Sequence, residues 1–170
     1  MQSIPLREVA RRWISRIRRA LGEVDERTTN KSLPVRQNAR SIKVIVMTFS
    51  RRDHQALEEI AETHNWQLVF APRWTDILHL AKNCETGVVL LDQALLGADW
   101  KEAIWLLVQP PQRCCVVLIC STITDRFCEQ FIEAGGYKVL KTPLQETEVV
   151  ATVGCAWSFW QHSIAAALRV

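Results

Sequence analysis

The 170 residues are 48% hydrophobic and 23% charged, a composition typical of a globular domain that buries a sizeable core. No apolar run is long enough to span a bilayer, and the amino terminus lacks the apolar region of a signal peptide. The net charge of +3 combines a basic leader, with ten Lys and Arg against four Asp and Glu in residues 1–40, and a mildly acidic remainder. This distribution argues against nucleic acid as the partner of the folded part.

The leader divides into two predicted segments. Residues 1–24 predict a basic amphipathic helix, because apolar residues recur every three or four positions between arginines. We favour packing of its apolar stripe on the domain or on a second copy of the chain. Attachment to an anionic membrane surface and binding of nucleic acid are the alternatives. Residues 25–40 are polar and lack periodicity, which predicts a linker to a single domain at 41–170.

The six cysteines indicate neither a disulfide framework nor a metal site. None stands in a C-x-x-C pair, and the four histidines do not have the spacing of zinc ligands with them. Cys114, Cys115 and Cys120 lie in or beside an apolar run, where cysteine usually behaves as a small buried hydrophobe. We therefore expect a reduced protein of the cytoplasm, without a bound metal.

From residue 41 onward, apolar runs of strand length alternate with helical patterns. Strands are predicted at 42–47, 66–70, 87–91, 114–120 and 138–141, and helices at 52–64, 74–83, 99–109, 125–134 and 143–167. Five strands alternating with five helices predict an α/β fold with a doubly wound parallel sheet. Its common five-stranded form has the flavodoxin-like strand order 2-1-3-4-5.

Polar residues predict where the helices begin. Pairs with the spacing of a capping box precede three helices: Ser50 and Asp53, Asp99 and Glu102, and Thr122 and Asp125. For the last helix, Thr142 is the predicted cap and Pro143 the first helical residue.

Asp92 is the first candidate functional residue. The four apolar residues 88–91 predict a strand buried on both faces, and Asp92 follows them directly. Because a buried unpaired carboxylate is too costly, we expect Asp92 at the rim of the sheet. In open parallel sheets, ligands and chemistry are found at the rim formed by the carboxyl ends of the strands.

Three segments follow one another in a fixed order and spacing. They are Val88-Val89-Leu90-Leu91-Asp92 with Gly97-Ala98-Asp99, then Val116-Val117-Leu118-Ile119-Cys120-Ser121, then Ala134-Gly135-Gly136 with Val139-Leu140 and Pro143-Leu144. Together they resemble the receiver domain of bacterial two-component response regulators, over about residues 41–160. The resemblance implies a stand-alone cytoplasmic signalling module that works through a protein partner: a histidine kinase, a downstream regulator or a second copy of the chain.

The resemblance also implies roles for single residues. Working receivers pass a phosphoryl group from a histidine kinase to the Asp at the end of the third strand, a position that Asp92 matches. Two acidic residues after the first strand hold Mg²⁺ in that family, but Thr48 and Phe49 stand there, and neither binds a hard cation as carboxylates do.

Two further positions in the family contact the phosphoryl oxygens. The Ser or Thr after the fourth strand is matched by Ser121. For the Lys after the fifth strand, an ungapped count places Thr142 at the position, and Lys141 stands one residue early. Because adjacent strand residues point to opposite faces, Lys141 would replace it only if a bulge re-aimed its side chain.

The sequence thus predicts a receiver-like module, not an enzyme, that acts by protein contacts and has an impaired Mg²⁺-dependent phosphorylation site. No cofactor is expected, and Mg²⁺ is expected only if Asp92 still accepts phosphate. The alternative is a working phospho-accepting response regulator. An enzyme or cofactor binder is least supported, because the chain has no Gly-rich phosphate loop or nucleophile elbow. A stripe on the last helix either contacts the partner or covers the sheet: Val153, Trp157, Trp160 and Ile164.

Overall fold

The computed structural model describes residues 41–82, 86–110, 112–122 and 124–168. The predicted helix at 1–24 and the predicted linker at 25–40 lie outside the described residues. Along the parts that are described, no helix combines the length and the apolar character needed to cross a bilayer.

Five parallel strands form one sheet. They are β1 (Lys43–Met47), β2 (Gln67–Phe70), β3 (Val88–Asp92), β4 (Cys115–Cys120) and β5 (Lys138–Lys141). Their order in the sheet is β2-β1-β3-β4-β5, which confirms the predicted flavodoxin-like arrangement. The three central strands are buried along nearly their whole length, because helices cover both faces of the sheet.

Five helices alternate with the strands and bury two separate apolar layers. They are α1 (Arg51–His64), α2 (Trp74–Lys82), α3 (Trp100–Val108), α4 (Asp125–Glu133) and α5 (Glu146–Leu168). One layer lies between the sheet and α1 with α5, and the other lies between the sheet and α2, α3 and α4. Alternate residues of β3 enter the two layers: Val88 and Leu90 the first, Val89 and Leu91 the second.

Of the three predicted capping pairs, only the first is confirmed, although α4 begins at Asp125 as predicted. The Ser50 hydroxyl caps α1 by accepting a hydrogen bond from the Asp53 amide at 3.2 Å. Asp99 precedes α3 as predicted, but its side chain makes no capping hydrogen bond. The cap of α4 is Thr124, whose hydroxyl accepts from the Phe127 amide at 3.3 Å, and not Thr122. Thr124 directly precedes the first residue of α4, so Thr124 and not Thr122 is placed to cap the helix.

The last helix begins three residues later than predicted. The Thr142 amide donates to the Cys120 carbonyl at 2.9 Å, so Thr142 continues the pairing of β5 with β4 and does not cap a helix. The peptide bond that joins it to Pro143 is cis. The first turn of α5 is closed by the Val149 amide on the Gln145 carbonyl at 3.0 Å. Thr142 and Pro143 therefore end the strand, and the prediction that they start the helix is wrong.

The stripe on α5 covers the sheet. Val153, Trp157 and Trp160 are buried in the layer shared with α1, and Ile164 is partly buried against it. The Trp160 indole ring lies so close to Gly87 that a Cβ atom on this glycine would overlap it. These four side chains are therefore occupied within the domain, which favours the covering role over direct contact with a partner.

Candidate functional site

Asp92 lies at the carboxyl-end rim of the sheet, as the last residue of β3. Its backbone is extended, and its Oδ1 accepts a hydrogen bond from the Ala94 amide at 2.9 Å. This contact caps the short 3-10 turn Gln93–Leu95 that leads away from the strand. The side chain is partly exposed to solvent. The rim carboxylate is thus present, and one of its oxygens already stabilises the following turn.

Thr48 contacts the other oxygen of Asp92. It follows β1 directly, its side chain is buried, and its Oγ1 donates to Asp92 Oδ2 at 3.2 Å. The same Oγ1 accepts from the Ser50 amide at 3.2 Å, which fixes the loop before α1. Phe49 is 69% exposed and does not share this environment. Of the two residues at the acidic-pair position, Thr48 is therefore the one that reaches Asp92.

The residues at this rim do not fit Mg²⁺. This cation prefers carboxylate oxygens and water, and the position beside Asp92 holds a neutral hydroxyl that already bridges two groups. Asp53, the next acidic residue along the chain, lies in the first turn of α1 and is buried there. Among the side chains that the structure describes, no cluster of three His, Cys, Asp or Glu has the geometry of a metal site.

The fourth strand brings a thiol to the rim. Ile119 is in register with Asp92 on β3, and Cys120 is in register with Lys141 on β5. Burial raises the pKa of the Cys120 thiol to about 11, with smaller contributions from the Cys128 thiol and the Asp92 carboxylate, while the charge of Lys141 opposes the rise. By the strand register, Cys120 lies beside Lys141 and directly follows the residue that pairs with Asp92.

Sequence reasoning missed Cys120. Ser121, the predicted hydroxyl, is the first residue past the end of β4, and its side chain is exposed. Cys120 is the last residue paired in β4, and its place at the rim follows from the register of β4 with β3 and β5. A Cys at the end of an apolar run carries no local signal that separates it from the rest of the core.

The fifth strand ends in the two residues proposed for the lysine position. Lys141 is exposed at the end of β5, and its charge acts on the Cys120 thiol. Thr142 is partly buried, and its described contact is the backbone hydrogen bond to Cys120. The hydrogen bonds described for Asp92 come from Thr48 and Ala94. The roles of Ser121, Lys141 and Thr142 toward phosphate remain predictions.

A shallow groove of about 450 Å³ adjoins the rim on the side of α1. Its lining comes from the loop after β1 and the first two turns of the helix: Thr48, Phe49, Ser50, Arg51, His54, Gln55 and Glu58. The His54 ring stacks on Phe70, with ring centroids 3.6 Å apart, and its Nε2 lies 3.2 Å from Glu58 Oε1. The groove offers aromatic and charged side chains of both signs beside Thr48.

No family model and no curated protein sequence matches this chain. Solved structures do. The chemotaxis protein CheY4 of Vibrio cholerae has 13% identity and a TM-score of 0.60, and the match covers 68% of this chain and 98% of that one. The signal receiver domain of an HD domain-containing protein from Pseudomonas fluorescens Pf-5 has 18% identity and a TM-score of 0.62, over 72% and 99%.

A third match comes from a complex. The receiver domain of the Saccharomyces cerevisiae response regulator Ssk1, crystallised with the histidine phosphotransfer protein Ypd1, has 11% identity and a TM-score of 0.59, over 69% of this chain and 90% of that one. Identities this low show a shared fold. The described domain has the fold of response regulator receiver domains.

Proposed function

We propose that this chain is a receiver-like signalling module of the two-component phosphorelay type that acts through protein–protein contacts, and that Mg²⁺-dependent phosphorylation of Asp92 is impaired. The observation that carries this proposal is the double hydrogen bond on Asp92. Oδ1 accepts from the Ala94 amide and Oδ2 from the Thr48 hydroxyl, so the carboxylate is held as a cap for the adjoining loops.

The chemistry of phosphoryl transfer explains why this arrangement is unfavourable. A carboxylate that attacks a phosphoryl group must approach another anion, and the reaction depends on cations that neutralise the charge as the two come together. Thr48 contributes no charge, whereas an acidic residue at this place would bring a cation to Asp92.

The second candidate function is that of a working phospho-acceptor. It is favoured by the partial exposure of Asp92 at the rim and by the ammonium group of Lys141 at the end of β5. In this alternative a bulge or a local movement turns Lys141 toward the phosphoryl group, and the cation site is built without the acidic pair.

The partner that we propose is a protein, and the site of action is the cytoplasm. The receiver domain of Ssk1 was crystallised with a histidine phosphotransfer protein, which supports the same class of partner for this chain. A histidine kinase, a downstream regulator and a second copy of the chain are the candidates. We propose no enzymatic activity and no nucleic-acid partner for the domain, and attachment to a membrane surface through residues 1–24 remains a hypothesis.

The test is direct phosphorylation of the purified full chain. The protein is incubated with acetyl phosphate and Mg²⁺, and its intact mass is measured, with the Asp92→Asn variant as the matched control. We expect no phosphoryl adduct on either protein. A stoichiometric adduct on the wild type that disappears in Asp92→Asn would overturn the proposal in favour of the working acceptor.

A further inference from the structure

The strand β2 forms one edge of the sheet, and part of its backbone points away from the neighbouring strand. The Gln67 and Ala71 amides donate to carbonyls on the β1 side, both at 2.8 Å. In a parallel ladder this orientation alternates along the strand. The N–H and C=O groups of Leu68 and Phe70 therefore point away from β1. Within the part of the chain that the structure describes, no strand lies on that side of β2.

The β2 edge lacks the features that usually keep an exposed strand from pairing. Natural proteins place charged residues or proline on such edges. Both edge strands of this sheet have four residues, but β5 carries exposed Lys138 and Lys141 at its two ends. The sequence of β2, Gln67–Phe70, has no charged residue and no proline, and its three apolar side chains are only partly buried. The edge is therefore open to a further strand.

A second copy of the chain fits this edge, because the edge is complementary to itself. In an antiparallel pair with a two-fold axis through Val69, Leu68 of one copy lies opposite Phe70 of the other. Residues paired in this way exchange both backbone hydrogen bonds, so every outward-pointing group of β2 is used. A register moved by two residues places Pro72 opposite Leu68, and proline has no N–H to donate.

The side chains of β2 favour the same register. Leu68 and Phe70 pack against the apolar layer that α1 and α5 cover, so their pairing extends this layer across the contact. Val69 points to the opposite face and meets Val69 of the second copy. Apolar side chains directly opposite one another stabilise paired strands. Each face of the extended sheet thus gains an apolar contact.

The polar side chains of α1 are also complementary in this register. The His54 ring stacks on Phe70, and Glu58 Oε1 lies 3.2 Å from His54 Nε2, one helical turn further on. Because α1 runs opposite to the parallel strands that it joins, Glu58 lies toward Leu68. The step is about 6 Å along the helix and about 7 Å along the strand. Pairing of Leu68 with Phe70 therefore brings the imidazole of one copy toward the carboxylate of the other.

We propose that two copies of the chain associate by antiparallel pairing of their β2 strands, which joins the two five-stranded sheets into one continuous sheet. The contact uses the backbone of β2 and the side chains beside it. It does not use Asp92, so the inference goes beyond the proposed function and is independent of phosphorylation.

Thiol cross-linking of the full chain tests the register. Val69 lies on the two-fold axis at a non-hydrogen-bonded position, where the two Cα atoms are about 4.5 Å apart and a disulfide can form. Val69→Cys should therefore give a disulfide-linked dimer in oxidised glutathione. Gln67→Cys is the matched control, because Gln67 lies opposite Ala71 and the two introduced thiols are too far apart to join.

Peptide mapping distinguishes this link from links through the native cysteines. Trypsin cleaves after Arg52 and Arg73 and releases peptide 53–73, which contains no native cysteine. We expect this peptide joined to itself in Val69→Cys, separated by reduction, and no such species in Gln67→Cys. Absence of the link in Val69→Cys, or equal linking in both variants, would overturn the proposal.

Sedimentation equilibrium of the wild-type chain measures the association directly. We expect a mass that rises toward that of two chains as the concentration increases. Val69→Lys places two ammonium groups opposite each other and should abolish the association, whereas Gln67→Lys should retain it. A wild-type chain that stays monomeric at every concentration, or a dimer that persists in Val69→Lys, would overturn the proposal. If Val69→Lys does not fold, the cysteine variants decide.

Discussion

The two ends of the five-stranded sheet are stabilised by different kinds of contact. At the amino end, Gly87 lies against the Trp160 ring, and the thiols of Cys114 and Cys115 donate to buried carbonyls. At the carboxyl end, Asp92 and Thr48 share a hydrogen bond at a partly exposed rim. The amino end is closed by packing, and the carboxyl end is held by single polar contacts. We therefore expect the free energy of unfolding to depend mainly on the amino end, and any binding or reaction to take place at the carboxyl end.

The largest expected effect is at the closed end. In Gly87→Ala, the new methyl group overlaps the Trp160 indole, and backbone or ring must move. Overpacking of this kind costs about 1–3 kcal/mol in the free energy of unfolding. The control is Gly97→Ala, because a Cβ atom there meets nothing within 4 Å. Urea denaturation of both variants checks the expectation, which fails if the two midpoints are equally close to that of the wild type.

A second substitution converts the open end into a cation site. Thr48→Asp places a carboxylate next to Asp92, so Mg²⁺ should raise the melting temperature of this variant and leave that of the wild type unchanged. Phe49→Asp is the matched control, because Phe49 is exposed and the described hydrogen bonds of Asp92 come from Thr48 and Ala94. Scanning calorimetry with and without Mg²⁺ measures the shift. A larger Mg²⁺ response in Phe49→Asp would show that Phe49 is the position next to the acceptor.

A third substitution removes the two hydrogen bonds of the Thr48 hydroxyl and keeps the shape of the side chain. Thr48→Val keeps the volume of the side chain and deletes the hydroxyl that bridges Asp92 and the Ser50 amide. A typical net contribution is about 1 kcal/mol per hydrogen bond, so we expect a loss of about 1–2 kcal/mol. Equilibrium unfolding provides the measurement. An unchanged free energy of unfolding would mean that water replaces both contacts without cost.

The smallest effect is expected at Asp92 itself. In Asp92→Asn the side-chain oxygen still accepts from the Ala94 amide, and the amide nitrogen in place of Oδ2 can donate to the Thr48 hydroxyl, so both contacts persist with the second one reversed. The free energy of unfolding should therefore remain within about 0.5 kcal/mol of the wild-type value. A loss comparable to that of Gly87→Ala would show that the carboxylate charge stabilises the fold, which contradicts the view of the rim as weakly coupled to stability.

The strands and their order are predictable from the sequence, because both follow from the pattern of apolar runs and helical segments. Apolar runs such as residues 88–91 are buried on both faces, and their alternation with helical segments leaves few topologies. The last helix was placed too early because the Thr142 amide is taken by the Cys120 carbonyl. This contact joins neighbouring strands and is invisible to local spacing, so a residue that looks like a helix cap belongs to the sheet.

The candidate site was predictable only in part, for the same reason. Asp92 was found because a carboxylate after a buried strand must reach the rim. The rim position of Cys120 could not be predicted, because the end of β4 is fixed by its register with β3 and β5. The buried stripe on α5 was equally ambiguous, since apolar side chains look the same whether they meet a partner or the chain's own sheet.

The double hydrogen bond on Asp92 has a consequence for how such a module would carry information. If Asp92 accepts no phosphate, as we propose, a donor has no covalent state of this residue to change, and we expect the signal to follow the amount of protein instead. Occupancy of the partner then follows mass action and rises smoothly with the ratio of concentration to dissociation constant. In a cell, we expect overproduction of wild type and of Asp92→Asn to shift the output equally, and a difference between their dose–response curves would argue against this dependence on abundance.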